Sequence, residues 1–395
     1  MSEPIDIMVR DNQSTPARLG SMRPHGAYGL RYSTILPGGC AECTFNLPTG
    51  ADYMVPPSQW GYNYRVDLVY GGVIIWSGRM EDLQLHKGAD GLYWEIRSVG
   101  YGINLNDQYY TTQPVNNVET STIVSDAISN LANPATGGQI AATSITATGF
   151  TIDNTTAVTL KMVSAAAAIA WAARFGLDTT FNPQQWYVYP DVDGTIRFTF
   201  ESRPTSVSIK GMVADFEEAD FALFGKNLYN RAVVQYNGAT SVATANDTTL
   251  QAAGPGGWNV IKTFAMVLPE ITQSVDAGQA ANALLEQFGT PRIAATSLRT
   301  QRTVDQLNLL DSNRQRVDPI KIRAGTLMQF LDMPDTGGAY QGIQWANTFV
   351  IAGTEYDEDS QTLTITPEGY DNSAEKLMAK VDYLLRGRLG LTGVA

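Results

Sequence analysis

Cysteine and histidine, on which most metal and nucleophilic sites depend, are scarce in this chain of 395 residues, which has two of each. Cys40 and Cys43 form a CxxC pair, but a zinc site needs two further thiolate or imidazole ligands, and neither His25 nor His86 lies in a paired ligand spacing. A thioredoxin-like site needs a helix after the pair, whereas TFNLP favours a strand. We therefore expect two reduced thiols at the start of a strand, with no bound metal or cofactor.

Long apolar runs and excess positive charge are also absent. No run reaches the roughly 18 apolar residues that mark a membrane-spanning helix, and the most apolar helical run, 163–175, is mostly alanine and contains Arg174. The first residues, MSEPIDIMVRDNQ, predict no signal peptide. We therefore expect no stable membrane insertion. Lys and Arg total 27 against 39 Asp and Glu, a net charge of −12. This balance argues against a protein that grips duplex DNA, although DNA could slide along such a surface.

Enzyme motifs are missing as well. The sequence contains no P-loop, no GxGxxG after a strand, no HExxH and no GxSxG. His25 lies in the loop sequence RPHGAYG, and His86 alternates with Gln84 along a predicted strand. Neither histidine has an identified nucleophile or orienting group, so we expect exposed polar roles and no catalytic residue.

Two acidic groups could suggest a glycosidase, which uses a pair of carboxylates. One group is Glu81 with Asp82, and the other is Glu355 with Asp357, Glu358 and Asp359. Both lie on alternating strands or in a turn, where acidic residues normally form the solvated face. DEDSQT at 357–362 also resembles a calcium loop, but it has neither the central Gly nor the terminal Glu of an EF-hand, so it predicts a turn.

The most informative feature that is present is a β pattern that occurs twice, at 62–101 and 323–369. Each copy has an apolar strand that meets a Gly, a polar and acidic continuation, a tight turn and an alternating return strand. The apolar strand, its continuation and the return strand lie at 73–78, 79–82 and 92–97 in the first copy, and at 349–353, 354–357 and 362–366 in the second. Period-2 alternation with Gly and Asp at the turns predicts antiparallel hairpins. Two related β units suggest an assembly protein with two equivalent surfaces.

The rest of the chain mixes strands with predicted helices. Residues 1 to about 112 have a strand-forming composition. Amphipathic or alanine-rich patterns predict helices over 118–131, 164–175, 274–288 and 372–386. Asp193-Gly194 predicts the turn of a hairpin, and 227–237 predicts a further strand.

Four segments of the C-terminal half carry a family resemblance: FGKNLYNRAVVQYNG (224–238), AGQAANALLEQFG (277–289), IKIRAGTLMQFLD (320–332) and FVIAGTEYDEDSQTLTITPEG (349–369). Their order resembles the C-terminal half of phage baseplate or tail hub proteins. GGVIIWSGRMEDLQ (71–84) resembles that family's first barrel. These motifs are structural, and none supplies a catalytic residue.

The resemblance implies a β-rich α+β fold with two tail-tube-like antiparallel β barrels and helix-containing peripheral domains. The first barrel is expected at 1–112 and a peripheral α+β domain at 113–224. The second barrel is expected from 225–240 together with 318–370, around an inserted peripheral domain at 241–317. A C-terminal helix and tail would occupy 371–395.

The resemblance also implies a homotrimeric tail-tip hub, located in the virion and assembled in the host cytoplasm. Three protomers would present six barrels as a pseudo-hexameric ring. That ring would meet the sixfold tail tube or distal tail protein on one side and a threefold spike or central fibre protein on the other. Its channel would hold tape measure protein, and DNA only in transit. Lumen-facing cations would grip phosphates, so we expect these arginines to lie away from the lumen or to pair with acids: Arg299, Arg302, Arg314 and Arg316.

Two other functions stay open at this point. The carboxylates would support a tail-tip cell-wall hydrolase, and the 7 Trp and 18 Tyr would support a carbohydrate-binding receptor module. Aromatic residues fill β cores and interfaces more often than sugar sites, so the structural role is favoured.

Overall fold

A computed structural model of the chain describes residues 4–11, 18–49, 63–88, 91–110, 118–129, 140–149, 151–152, 163–175, 184–224, 228–254, 257–268, 274–288, 292–301, 309–333, 344–345 and 347–368. The chain has a β-rich α+β fold. Among these residues, no helix is both long and apolar enough to cross a membrane.

The first β unit is an antiparallel sheet formed by the N-terminal strands. These are β1 (Asp6–Arg10), β2 (Arg18–Ser21), β3 (Tyr28–Ile35), β4 (Gly38–Pro48), β5 (Arg65–Tyr70), β6 (Val73–Gly88) and β7 (Gly91–Gly100). They lie side by side in the order β2-β1-β5-β6-β7-β4-β3. Leu68, Trp76 and Ile96 are fully buried, as expected for alternating strands with one face on a core. The first predicted hairpin is confirmed as β6–β7.

A helical region follows the first β unit. It contains α1 (Asn104–Asp107), β8 (Tyr109–Tyr110), β9 (Val118–Glu119), α2 (Thr120–Ser129), β10 (Ala142–Ile145), β11 (Thr151–Ile152), β12 (Val163–Ser164), α3 (Ala165–Phe175), β13 (Gln184–Pro190) and β14 (Ile196–Ser202). The helices predicted at 118–131 and 164–175 are α2 and α3, and the hairpin predicted around Asp193-Gly194 is β13–β14.

One close approach attaches this region to the first β unit. Tyr187 and Val188 of β13 pair with Gly38 and Gly39 of β4 in parallel. Gly39 has φ +93°, and a Cβ there would lie 2.2 Å from the carbonyl oxygen of Val188. Only glycine fits this position, because both its backbone conformation and its contact with Val188 exclude a side chain.

The second β unit is interrupted by an insertion. It begins with β15 (Ile209–Gly211) and β16 (Glu218–Phe224). The insertion contains β17 (Arg231–Tyr236), β18 (Ser241–Asn246), α4 (Thr248–Gln251), β19 (Thr263–Val267) and α5 (Ser274–Phe288). The unit resumes with β20 (Arg292–Gln301), β21 (Leu310–Asp311), β22 (Leu327–Phe330), β23 (Gln344–Trp345), β24 (Thr348–Asp357) and β25 (Thr362–Pro367). The second predicted hairpin is confirmed as β24–β25, and the helix predicted at 274–288 is α5.

The strand partners of 225–240 differ from those expected for the second barrel. Here β17 pairs with β18 and β19, and not with the strands of 318–370. A tight turn returns the chain at once to β18, and the apolar face of β17 belongs to the same hydrophobic core as two alanines of α5, Ala277 and Ala281. Instead, β15 and β20 pair with strands of 318–370, and β16 pairs with β20. The domain boundaries stay predictions, and the helix predicted at 372–386 lies outside the described residues.

Two hydrophobic cores organise the described chain. One is shared by both β units and joins Trp76 and Ile96 with Phe330, Ile351 and Leu363. The other is shared by the helical region and the insertion, and it contains α2, α3, β13, β14 and the α5 face. The two β units therefore fold as one body, with the remaining elements packed around a separate core.

Candidate functional site: the seam between the β units

Five strands of each β unit share one topology. In the first unit the neighbours run β5-β6-β7-β4-β3, and in the second they run β22-β24-β25-β20-β16. Every one of these pairs is antiparallel, and the five strands also follow the same order along the chain. The repeat predicted from two hairpins therefore extends to five strands in each unit.

The two units meet edge to edge along what we call the seam, the antiparallel pairing of β3 with β24. One edge of β24 is divided between two partners. Its first half, Thr348–Val350, pairs with β22 of its own unit. Its second half, Gly353–Asp357, pairs with Arg31–Ile35 of the first unit. The seam makes one continuous sheet from two equivalent units through a contact between different edges.

The core face of the seam is fully buried. The rings of Tyr32 and Tyr356 lie 5.3 Å apart, and both residues are at most 3% exposed. Thr34 Oγ1 and Thr354 Oγ1 are 2.6 Å apart and share a hydrogen bond. The Ala324 N–H also donates to Thr34 Oγ1, at 2.9 Å. Buried hydroxyls stabilise a structure only where they are paired, so this arrangement fixes the register of the two units.

Ion pairs close the outer side of the seam. Arg31 lies 3.2 Å from Asp357, and Arg23 pairs with Glu358. The Glu358 N–H donates to the Leu30 carbonyl at 2.9 Å. The carboxylates at 355–359, considered above for a glycosidase, therefore lie at or beside the seam: Asp357 and Glu358 pair with arginines, and the Asp359 N–H donates to Asp357.

The seam residues of the first unit are not predictable from their local sequence. Tyr32 and Thr34 lie in the alternating segment YGLRYSTI, which predicts a strand but not its partner. Thr34 and Thr354 are 320 residues apart in sequence. No local pattern indicates such a contact, although the repeated hairpins do indicate which part of the chain supplies the other edge.

The other carboxylate pair has no feature of a general acid. Glu81 lies 3.7 Å from Arg79 and is partly exposed. Hydrogen bonds from the Gln84 side chain and the Leu83 N–H hold the pKa of Asp82 below its usual range. A glycosidase acid needs a raised pKa, so Asp82 is unsuited to that role.

The histidines have structural partners. His86 stacks on Tyr93 with ring centroids 5.4 Å apart, and its Nε2 lies 3.1 Å from Glu95. His25 ends a short 3-10 helix, Arg23–His25, beside the seam ion pair of Arg23. Both histidines are half-buried and not exposed as expected.

Both cysteines are free and buried at the beginning of β4, the strand predicted to follow them. Burial raises the pKa of the Cys40 thiol to about 11 and raises the pKa of the Cys43 thiol further. A thiol held in its neutral form is a poor nucleophile and a poor metal ligand. Among the described residues, no group of three or more His, Cys, Asp or Glu side chains is arranged to hold a metal ion.

The predicted basic cluster lies on exposed parts of the second β unit. Arg299 of β20 lies 3.7 Å from Glu218 of β16. Arg314 and Arg316 are exposed around a turn, and Arg302 lies outside the described residues. Whether these side chains avoid a lumen stays a prediction.

A cavity of about 280 Å³ lies where β13 and β14 meet the chain around Arg323. It is lined by Tyr187 and Tyr189, whose aromatic rings could serve a sugar site. However, the Arg323 guanidinium covers the Tyr189 ring at 5.0 Å, and the Tyr187 hydroxyl donates to Glu201 at 2.8 Å. These tyrosines are therefore committed to packing and internal hydrogen bonds, which weakens the carbohydrate-binding alternative.

Comparison with solved structures identifies the fold. A tail protein from Neisseria meningitidis MC58 has a TM-score of 0.56 and 13% identity, covering 92% of this chain and 96% of that one. The 43 kDa tail protein of prophage MuSo2 from Shewanella oneidensis has a TM-score of 0.57 and 10% identity, covering 93% and 99%. The prophage tail protein gp18 from Listeria monocytogenes EGD-e has a TM-score of 0.56 and 12% identity, covering 96% and 99%.

The chain therefore has the fold of these tail proteins, two of which come from prophages, over nearly its whole length. No family model matches the sequence, and no curated protein matches it.

Proposed function

We propose that this protein is a structural hub of a phage tail tip or baseplate, and that three copies form a ring of six β units. The observation that carries the proposal is the seam. It joins two units of the same five-strand topology through different edges, β3 of one and β24 of the other. A contact between different edges of equivalent units is heterologous, and heterologous contacts generate closed rings when their rotation permits.

The tail location is supported by the fold, which is that of three tail proteins, two of them from prophages. A ring of six equivalent units made by three chains has a surface that suits a sixfold partner, the tail tube or distal tail protein. The helical region and the insertion differ from each other, so the same ring keeps true threefold symmetry for a spike or central fibre protein. The net charge of −12 suits a channel that passes DNA and tape measure protein without holding them.

A structural role agrees with the chemistry of the candidate catalytic groups. The carboxylates at 357–358 hold the seam, and Asp82 is held ionised by its hydrogen bonds. The proposal therefore predicts no lysis of host cell wall in a zymogram of the purified protein. Lysis that persisted after repurification, and was lost with Asp82→Asn, would favour the hydrolase instead.

The ring is tested by the mass of the assembled protein in solution. Analytical ultracentrifugation over a broad concentration range should show a monomer of 42.9 kDa in equilibrium with a trimer, without a stable dimer or hexamer. A heterologous trimer gains its last contact only on closure, so the dimer should be sparsely populated. A dominant dimer or hexamer would contradict the proposal.

A further inference from the structure

The seam uses one edge of each β unit. The equivalent edge of the opposite unit has no partner among the described strands. In the second unit, the edge of β24 beyond β22 is covered by β3. The equivalent strand in the first unit is β6, which pairs with β5 as far as Arg79, and Met80 still exchanges backbone hydrogen bonds with Asn63 and Tyr64. Beyond the bulge at Glu81, residues 82–88 pair with β7 on one side, and no described strand lies on the other. Likewise β16, the equivalent of β3, pairs with β20 alone among the described strands.

The backbone geometry shows which groups of β6 face this edge. Gly88 and Gly91 flank a two-residue hairpin loop and form the closing pair of the ladder. Opposite residues alternate between pairs that exchange hydrogen bonds and pairs that do not. The N–H and C=O of Leu83, Leu85 and Lys87 therefore point away from β7. The Leu83 N–H indeed donates to the carboxylate of its neighbour Asp82, at 2.9 Å, and not to β7.

The side chains at both edges are apolar on the core face and only partly covered. Leu85 is 50% exposed, although it lies opposite Trp94 on the face that continues from Ile96. On β16, Phe221 packs against Phe330 with ring centroids 5.8 Å apart and is half-buried. At the seam, the tyrosines of the equivalent strands are at most 3% exposed. The two edges thus present apolar surface of the kind that the seam buries.

We propose that Asp82–Gly88 of β6 in one chain pairs antiparallel with β16 of the next copy of the same chain. This contact repeats, between chains, the seam found within the chain, and the two seams would alternate around the ring. The inference rests on the proposed function and adds the partner and the residues of the contact that closes the ring. An unpaired strand edge is a liability for a soluble protein unless an assembly covers it.

Leu85→Pro tests the backbone part of this contact, with Leu85→Thr as the matched control. Proline removes the N–H of residue 85, which does not bond to β7, so the β6–β7 hairpin should persist. Its ring would block another strand from pairing at this edge. Threonine has the same exposure but keeps the N–H. We expect self-association, measured by analytical ultracentrifugation, to weaken at least about tenfold for Leu85→Pro and to change less than about threefold for Leu85→Thr. Equal association of both variants would overturn the proposal.

A charge at the same edge gives a second test that does not depend on folding of the proline variant. Leu85→Glu should weaken self-association by about tenfold, because the contact would bury the new charge on the core face. Gln84→Glu adds the same charge to the outer face of the same strand and should change self-association by less than about threefold. Equal effects of these two variants would overturn the strand pairing while leaving a trimer intact. A wild-type chain that never forms trimers would overturn both the pairing and the ring.

Discussion

The buried hydroxyl pair at the seam gives a sharp test of how the two β units are joined. Thr34→Val keeps the shape of the side chain but removes the oxygen that bonds Thr354 Oγ1 at 2.6 Å and accepts the Ala324 N–H at 2.9 Å. Two buried groups then lose a partner. Each such group costs about 1–3 kcal/mol, so the free energy of unfolding should fall by about 2–6 kcal/mol. Thr34→Ser keeps both hydrogen bonds and should lose only about 1 kcal/mol for one methyl group.

The two threonines should also be coupled. Thr354→Val alone leaves the Thr34 hydroxyl without that partner, whereas the double Thr34→Val, Thr354→Val variant removes both hydroxyls and leaves only the Ala324 N–H unpaired. The double variant should therefore lose less stability than the sum of the singles. Urea unfolding followed by tryptophan fluorescence measures the losses, and hydrogen exchange in β3 and β24 locates them. Additive single losses, or equal effects of Thr34→Val and Thr34→Ser, would refute the reasoning.

Two further predictions concern the core that the β units share. Asp67 is fully buried and accepts hydrogen bonds from Arg10 and Arg65, both at 2.7 Å. Asp67→Asn should therefore lower the free energy of unfolding by about 3–5 kcal/mol. The matched Asp107→Asn should lower it by less than about 1 kcal/mol, since Asp107 is 52% exposed in its pair with Arg79; equal losses would contradict this account. Burial raises the Cys40 pKa to about 11 from 9.0, so the thiol ionises at a lower pH in the unfolded chain than in the folded chain. Its contribution to the free energy of unfolding is therefore complete below pH 9 and falls as pH rises towards 11. Urea titrations across that interval should give a shallower pH dependence for Cys40→Ala than for wild type, and parallel curves would show that burial does not perturb the thiol.

Local periodicity predicted the elements whose structure depends on nearby residues. The helix at 274–288 matches α5, and the one at 164–175 differs from α3 by one residue. The two hairpins also follow from alternation and turn residues, because a hairpin brings together strands that are adjacent in sequence. These hairpins were enough to indicate a repeat.

Strand partners far apart in sequence were not predictable in the same way. The segment with Asp215, Glu217, Glu218 and Asp220 has the composition of a solvated face, and the last three are exposed while Asp215 is half-buried. However, it forms β16, whose partner β20 lies beyond the whole insertion. The sequence predicted β17 as a strand of the second barrel. Instead, β17 pairs with its hairpin partner β18, and its apolar face belongs to the same hydrophobic core as α5. Strand pairing depends on which elements, distant in sequence, bury each other's apolar faces. The local sequence of one strand does not contain that information.

The most direct test of the central claim is a cryo-electron microscopy structure of the assembled tail tip that contains this chain. We predict three copies in the ring, with the units β3–β7 and β16–β25 alternating as six equivalent positions around one channel. A ring of six copies would contradict it, as would two units that do not superpose as one fold.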